Sequence, residues 1–289
     1  SIPDPQFTTV GGLLHHRADT TPDRVAYTHL ADGETESARL TYRQLEQGAS
    51  AIAQELQNLT SPGDRALLLF TPGLEFMEAF FGCLLAGVIA VPSYPPKRNR
   101  PDPRLTTIAT DSSAKIVLTN AAVLREIEPR LQNTPSLRWI ATDTLPDAPT
   151  EALDNLPTVA ANDLAFLQYT SGSTADPKGV MVSHGNLLHN LADLDAGWDH
   201  DPDSVMITWL PIFHDMGLIY GALMPLFRGF RCVMLPPASF LQRPIRWLEA
   251  ISRFGGTHSA APNFAYDLCV ASTTPEQREE LDLSSWRLS

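Results

Sequence analysis

The sequence predicts an α/β protein in which mostly parallel sheets are covered by helices. Short apolar runs of strand length alternate along the chain with longer amphipathic runs. Crossovers of helix length join parallel strands that are buried on both faces. The chain has 289 residues, of which 43% are hydrophobic and 19% are charged, so it can bury a large core in the manner of an ordinary globular protein.

The predicted elements follow one another along the chain. The strand candidates are short and apolar, and they comprise residues 65–70, 88–91, 115–119, 137–141, 163–169, 180–182, 205–209 and 231–235. The helical candidates comprise residues 41–58, 73–87, 104–113, 121–132, 184–197, 216–228 and 240–254. The segment around residues 145–162 is rich in proline and acids. We therefore predict a first α/β subdomain over residues 1–144, a linker over 145–162, and a second α/β subdomain over 163–289.

Charge and cysteine content restrict the possible partners and location. The 21 basic and 33 acidic residues give a net charge of −12, which argues against a nucleic-acid partner. The longest uncharged apolar run, residues 79–91, is too short to span a membrane. Cys83, Cys232 and Cys269 are odd in number and far apart, so we predict neither a disulfide scaffold nor a zinc site, and a cytoplasmic location.

The stretch YTSGSTADPKGVMVSHGN, residues 169–186, places small and hydroxyl-bearing residues between two predicted strands. Glycine lets the backbone approach a ligand closely, hydroxyls and N–H groups donate to phosphate oxygens, and a lysine supplies a mobile charge. A P-loop does not fit, because Pro177 precedes Lys178, Gly179 follows it, and a strand comes next. The pattern predicts a phosphate-binding loop formed by Thr170, Ser171, Gly172, Ser173, Thr174, Lys178 and Gly179. A mobile surface loop is the alternative.

This stretch resembles the signature loop of the adenylate-forming superfamily, which includes acyl-CoA synthetases, luciferases and the adenylation domains of peptide synthetases. The resemblance extends over the whole chain, through LTYRQLEQGASAIAQEL (40–56), GCLLAGVIAVPSYPP (82–96) and WLPIFHDMGLIYG (209–221). The loop SYPPKRNRPDPRL, the run His-Asp-Met-Gly-Leu and the segment SAAPNFAYDLC (259–269) resemble one branch in particular, the fatty acyl-AMP ligases.

The resemblance implies the N-terminal subdomains of the adenylate-forming fold, in truncated form and without the small C-terminal domain. It also implies a fatty acid and ATP as substrates, ATP and Mg²⁺ as cofactors, and an acyl carrier protein of a polyketide or lipopeptide pathway as the acceptor of the acyl group. Further catalytic residues of the family lie downstream, so we expect this fragment alone to be inactive. Two alternatives stay open: an acyl-CoA synthetase that uses coenzyme A, and a non-catalytic acyl- or nucleotide-binding module. Ala175 stands where the family has glycine, and this difference favours the second alternative, the non-catalytic module.

The resemblance also assigns the site residues. Catalytic roles are expected for His214, which would orient the fatty carboxylate, and for Lys178, which would bind the outer phosphates. The predicted acyl-substrate pocket comprises Phe213, His214, Asp215, Met216, Gly217, Ala261, Pro262, Asn263, Phe264 and Tyr266. For each of these pocket residues, ordinary core packing is the alternative.

No metal-ligating side chain is predicted in this chain. Asp199, Asp201 and Asp203 have the first spacings of a calcium loop, but Ser204 stands in place of its glycine and Leu210 in place of its closing glutamate. A solvated acidic loop is the interpretation that we adopt.

Overall fold

The structure is a computed structural model that describes residues 7–95, 102–127, 129, 137–148, 152–170 and 177–289. Its helices are α1 (Val10–Thr20), α2 (Tyr42–Leu59), α3 (Glu75–Ala86), α4 (Pro103–Asp111), α5 (Ala121–Ile127), α6 (His184–Trp198), α7 (Met224–Arg228), α8 (Pro237–Gln242), α9 (Ile245–Phe254), α10 (Asn263–Ser272) and α11 (Pro275–Glu279). Its strands are β1 (Val25–His29), β2 (Ala38–Thr41), β3 (Arg65–Leu69), β4 (Ile89–Ser93), β5 (Ile116–Thr119), β6 (Arg138–Ala141), β7 (Leu164–Tyr169), β8 (Gly179–Ser183), β9 (Val205–Thr208) and β10 (Arg231–Met234). A π-helix, Met216–Leu223, leads into α7.

The strands form two sheets, each mostly parallel. The larger sheet has the order β6-β5-β3-β4-β7-β8, and only the β7–β8 pair is antiparallel. The smaller sheet has the order β2-β1-β10-β9, and only the β1–β2 pair is antiparallel. The prediction of an α/β protein with mostly parallel sheets and covering helices is confirmed.

The two sheets do not divide the chain at the predicted linker. Strands β7 and β8, from the predicted second subdomain, complete the sheet of β3–β6, and β1 and β2 complete the sheet of β9 and β10. Within the described part of residues 145–162, Ala152–Asn155 form a 3₁₀ turn, and the Asn155 carbonyl accepts a 2.6 Å hydrogen bond from Gln57 Nε2 of α2. Two strands pair through their backbone edges, and they can do so however far apart they lie in the sequence. The proline-rich segment 145–162 therefore does not separate one sheet from the other.

Helices α2 and α3 lie between the sheets and form the centre of the main core. Helix α2 contacts β1 and β2, while α3 contacts β3 and β4. Their close approach depends on Gly82, because a Cβ there would lie 2.6 Å from Ile52 Cγ2 and 3.1 Å from the Ala49 carbonyl oxygen. The sequence also defines where α2 begins, since Thr41 and Gln44 form a capping box at its N-terminus.

Candidate active site

Strands β7 and β8 bring the two ends of the predicted phosphate loop together. Tyr169 pairs with Gly179, and the Thr170 N–H donates a 3.2 Å hydrogen bond to the Lys178 carbonyl. The side chains of Thr170 and Lys178 are exposed. The strands on either side of the loop are therefore present as predicted, whereas Ser171, Gly172, Ser173, Thr174 and Ala175 lie outside the described residues.

The base of this loop is held by Tyr169. Its hydroxyl donates a 2.5 Å hydrogen bond to Asp111 Oδ2 at the end of α4. Burial, and then the bond to Asp111, raise the pKa of the Tyr169 phenol well above its usual range, so the hydroxyl stays a donor. Its ring packs against Gly179, where a Cβ would lie 2.9 Å from Tyr169 Cζ. A side chain at position 179 would therefore displace the ring.

A glutamine connects the end of β7 to the histidine motif. Gln168 Nε2 donates a 2.8 Å hydrogen bond to the Phe213 carbonyl, and so holds the segment after β9 beside β7. His214 follows directly: its N–H donates to the Pro211 carbonyl at 3.2 Å, and its own carbonyl accepts from Leu218 N at 2.8 Å. His214 is half-buried and lies two residues before the π-helix.

His214 and the base of the phosphate loop border one small cavity. This cavity has a volume of about 80 Å³, and its lining residues are Pro92, Ser93, Tyr94, Asp102, Arg104, Leu105, Ile108, Tyr169, Phe213 and His214. Tyr169 is the residue immediately before Thr170, which begins the predicted loop. The structure therefore brings His214 next to the strand end from which the phosphate loop departs.

A larger, mainly apolar cavity of about 360 Å³ adjoins the small one. It is lined by the C-terminal ends of β1, β9 and β10, by the segments after β3, β4 and β9, and by α5: His29, Thr71, Pro72, Gly73, Tyr94, Pro95, Val123, Glu126, Ile127, Thr208, Leu210, Pro211, Ile212, Phe213, Gly217, Met234, Leu235 and Pro237. Tyr94 and Phe213 line both cavities, and their ring centroids are 4.5 Å apart. Open α/β sheets commonly bind ligands at the carboxyl ends of their strands, which is where both cavities lie.

Two residues of the predicted acyl pocket line the large cavity. Phe213 forms part of the wall shared with the small cavity, and Gly217 lies in the first turn of the π-helix. Glycine is needed at position 217, because a Cβ there would overlap the Pro211 carbonyl oxygen. Asp215 and Met216 are exposed, and Asp215 Oδ1 accepts a 2.7 Å hydrogen bond from Met216 N at the π-helix terminus. Asp215 is therefore the N-cap residue of the π-helix, because its carboxylate accepts from the first backbone N–H of that helix.

The other predicted pocket residues lie around the start of α10. Phe264 is exposed, with its ring centroid 6.3 Å from that of Trp209. Tyr266 packs against Trp247 and Trp286, with centroids 5.4 and 6.5 Å away. Neither of the two cavities described above is lined by Ala261, Pro262, Asn263, Phe264 or Tyr266. Their contact with an acyl chain stays a prediction.

Four residues at the site were not predicted as site residues. Tyr94 directly follows β4 and packs against Phe213 and His214, with a centroid distance of 5.7 Å to the latter. Gln168 positions the histidine motif, Arg104 lines the small cavity, and His29 lines the large one. The sequence could have indicated these residues by their position, because they lie near the C-terminal ends of β1, β4 and β7 or on the crossover after β4. In a parallel sheet, these strand ends form the side that binds ligands.

The described residues contain no group of three or more His, Cys, Asp or Glu side chains arranged to hold a metal. In the acidic loop, Asp201 Oδ1 accepts a 2.8 Å bond from Asp203 N, and Asp201 Oδ2 lies 3.1 Å from Arg287 Nη1. Asp201 is thus engaged in local contacts. Among the described residues, no helix is both long enough and apolar enough to cross a membrane.

The chain belongs to the AMP-binding enzyme family, whose model matches residues 14–289. Its fold is that of the N-terminal half of the adenylate-forming enzymes, as the sequence resemblance predicted. A solved fatty acyl-adenylate ligase from L. pneumophila, in complex with acyl adenylate and pyrophosphate, superposes with a TM-score of 0.90 at 42% identity. The superposition covers 97% of this chain and 49% of that one.

Curated relatives support the same branch. The medium-chain-fatty-acid–[acyl-carrier-protein] ligase JamA of Moorena producens (strain JHB) is 44% identical over 290 residues, which cover 98% of this chain and 49% of that protein. The long-chain-fatty-acid–AMP ligase FadD26 of Mycobacterium tuberculosis (strain ATCC 25618 / H37Rv) is 38% identical over 288 residues, which cover 95% and 49%. The chain therefore spans about half the length of the curated relatives that it matches.

Proposed function

We propose that the complete protein activates a fatty acid with ATP and that this chain supplies the acyl-binding and phosphate-binding part of the site. The observation that carries the proposal is the pair of adjoining cavities. One is apolar and has the size of a ligand pocket, and the other joins it to His214 and to the base of the phosphate loop. An acyl tail fits the first, and its carboxylate reaches the second.

In the proposed reaction, a carboxylate oxygen attacks the α-phosphorus of ATP. The new O–P bond forms as the bond to the β-phosphate oxygen breaks, which yields acyl-AMP and pyrophosphate. Both reactants are anions, so the protein must hold them together and offset their repulsion. We assign the orientation of the carboxylate to His214 and the outer phosphates to Lys178. ATP enters as its magnesium complex, with the ion carried by the nucleotide.

We assign the remaining phosphate contacts to Thr170, Ser171, Gly172, Ser173, Thr174 and Gly179. Support comes from the hydrogen bond that closes the loop at Thr170 and Lys178, and from the relative that was solved with acyl adenylate and pyrophosphate. The three cysteines are free and buried, which fits the reducing cytoplasm that we propose as the location.

For the second step, we propose that the thiol of an acyl carrier protein takes the acyl group. The thiol sulfur attacks the acyl carbonyl carbon, AMP leaves, and the thiol proton is released to solvent. The relative JamA, named as an acyl-carrier-protein ligase, supports this acceptor. Coenzyme A offers the same thiol chemistry and is the competing acceptor to test.

The complete protein should be assayed for pyrophosphate release with Mg–ATP and a series of saturated fatty acids. We expect release that depends on the fatty acid, together with an acyl-adenylate that can be trapped by hydroxylamine. With both acceptors supplied, we expect a thioester on the carrier protein. Formation of acyl-CoA instead would favour the acyl-CoA synthetase alternative, and the absence of any pyrophosphate release would refute the proposed function.

A further inference from the structure

Arg104, on the first turn of α4, brings a positive charge to the cavity beside His214. Among the described residues that line this cavity, Arg104 is the only one with a lysine or arginine side chain. Its Nη2 donates a 3.2 Å hydrogen bond to the carbonyl of Thr170, the residue at which the phosphate loop leaves β7. The guanidinium is therefore held between α4 and the base of the loop, although the side chain is exposed.

No carboxylate of the described residues forms an ion pair with Arg104. Asp102 lines the same cavity, but its Oδ1 accepts a 3.0 Å bond from the Arg104 backbone N–H and so caps α4. By contrast, Arg243 and Arg246 both pair with Glu34. Arg104 thus keeps donors for an anion in a cavity whose other lining residues are His214, the helix-capping Asp102, and aromatic, apolar and small polar residues.

We propose that Arg104 binds the carboxylate of the fatty acid and so selects an anionic head group; this inference rests on the proposed function. The cavity volume of about 80 Å³ has room for a carboxylate and not for a nucleoside. An acyl tail in the large cavity would enter past Tyr94 and Phe213, which places its head between Arg104 and His214. The forked N–H donors of a guanidinium match the planar geometry of a carboxylate. Arg104 can offer them to the carboxylate while Nη2 also holds the Thr170 carbonyl.

The test uses the complete protein and the variants Arg104→Gln and Arg104→Lys. Arg138→Gln is the matched control, because Arg138 is an exposed arginine on the edge strand β6 at the opposite end of the sheet order from β7 and β8. Two quantities are measured with saturating Mg–ATP: kcat/KM for the fatty acid, and the inhibition constant of the fatty alcohol of equal chain length. The alcohol fills the same cavities without the negative charge.

We expect Arg104→Gln to lower kcat/KM for the acid by roughly 10- to 100-fold, the loss typical of a hydrogen bond to a charged group. Inhibition by the alcohol should change by less than about 3-fold, because a neutral head does not need the guanidinium. Arg104→Lys should recover part of the lost kcat/KM, since it keeps the charge but not the fork of donors. The control should match the wild-type protein.

Two results would overturn the role of Arg104 and leave the proposed function intact. One is a wild-type kcat/KM in Arg104→Gln. The other is an equal weakening of the acid and the alcohol, which would indicate that Arg104 only holds the loop in place. If the wild-type protein releases no pyrophosphate with any fatty acid, both the proposed function and this inference fail. Thermal unfolding of each variant establishes that it is folded.

Discussion

His214 lies where the two cavities and the phosphate-loop base come together, so its side chain is the first to test. We predict that His214→Ala in the complete protein lowers kcat/KM for fatty acid adenylation on the order of 100-fold, because the carboxylate loses its orientation toward ATP. Pyrophosphate release at varied fatty acid concentration measures the effect. His189→Ala is the control, since His189 is an exposed histidine on α6. Equal rates for the two variants would contradict the role of His214.

His184 makes a different contribution, to stability at neutral pH. Its Nδ1 accepts a 3.2 Å hydrogen bond from Val10 N inside the protein, which requires a neutral ring. Burial lowers the pKa of His184 to about 4, below the ordinary value of 6.5. The folded state therefore binds fewer protons than the unfolded state between these values, so the contribution is complete above about pH 6.5 and is lost as pH falls through about 4.

We predict that wild-type protein loses more stability than His184→Asn between pH 7 and about pH 4.5, because asparagine can accept the Val10 N–H bond but does not titrate. Urea unfolding at several pH values measures the free energy of unfolding of each. The buried residues His200 and His258, whose pKa values burial also lowers, are common to both proteins, so their effect cancels in the difference. Parallel pH profiles would show that His184 is not responsible.

The close contact between helices α2 and α3 depends on the glycine at position 82, which has no side chain. We predict that Gly82→Ala lowers the free energy of unfolding by about 1–3 kcal/mol, because the added methyl group would collide with Ile52 and with the Ala49 carbonyl. Gly197→Ala, in α6, is the matched control. It has no atom within 4 Å of its added Cβ, so it should be neutral or gain up to about 1 kcal/mol of helix propensity.

Denaturant unfolding of the two glycine variants gives the comparison. Equal stabilities would mean that α2 and α3 can move apart without cost, and the explanation by close packing would be wrong.

The positions of most helices and strands followed from sequence patterns, and their exact form did not. The predicted helix 240–254 is two helices, α8 and α9, because Pro244 cannot continue a helix begun before it. The predicted helix 216–228 begins as a π-helix, whose apolar pattern looks like that of an α-helix. The helix α1 and the strands β1 and β2 were absent from the predicted elements. Short elements of this kind depend on their partners in the fold more than on local pattern.

The complete fold interleaves the chain between two sheets. Strand β1 pairs with β10, and β4 pairs with β7, so each half of the chain supplies backbone partners for the other. We predict that residues 1–144 expressed alone do not fold cooperatively, because both pairings and the core between the sheets would be incomplete. Circular dichroism and urea unfolding measure this, with the 289-residue chain as the control. A sharp, cooperative transition in the shorter piece would support the predicted boundary at residues 145–162.

The sequence was sufficient for the α/β class, the strand–loop–strand context of residues 169–183 and the family. Each rests on local information: apolar periodicity, and a run of glycine, hydroxyl and lysine residues whose order has a direct chemical meaning. The sheet order, the placement of Tyr94, Gln168 and Arg104 around His214, and the two joined cavities required the folded structure. These features come from contacts between residues that are distant in sequence, and hydrogen bonds and packing across sheets leave no periodic trace in the chain.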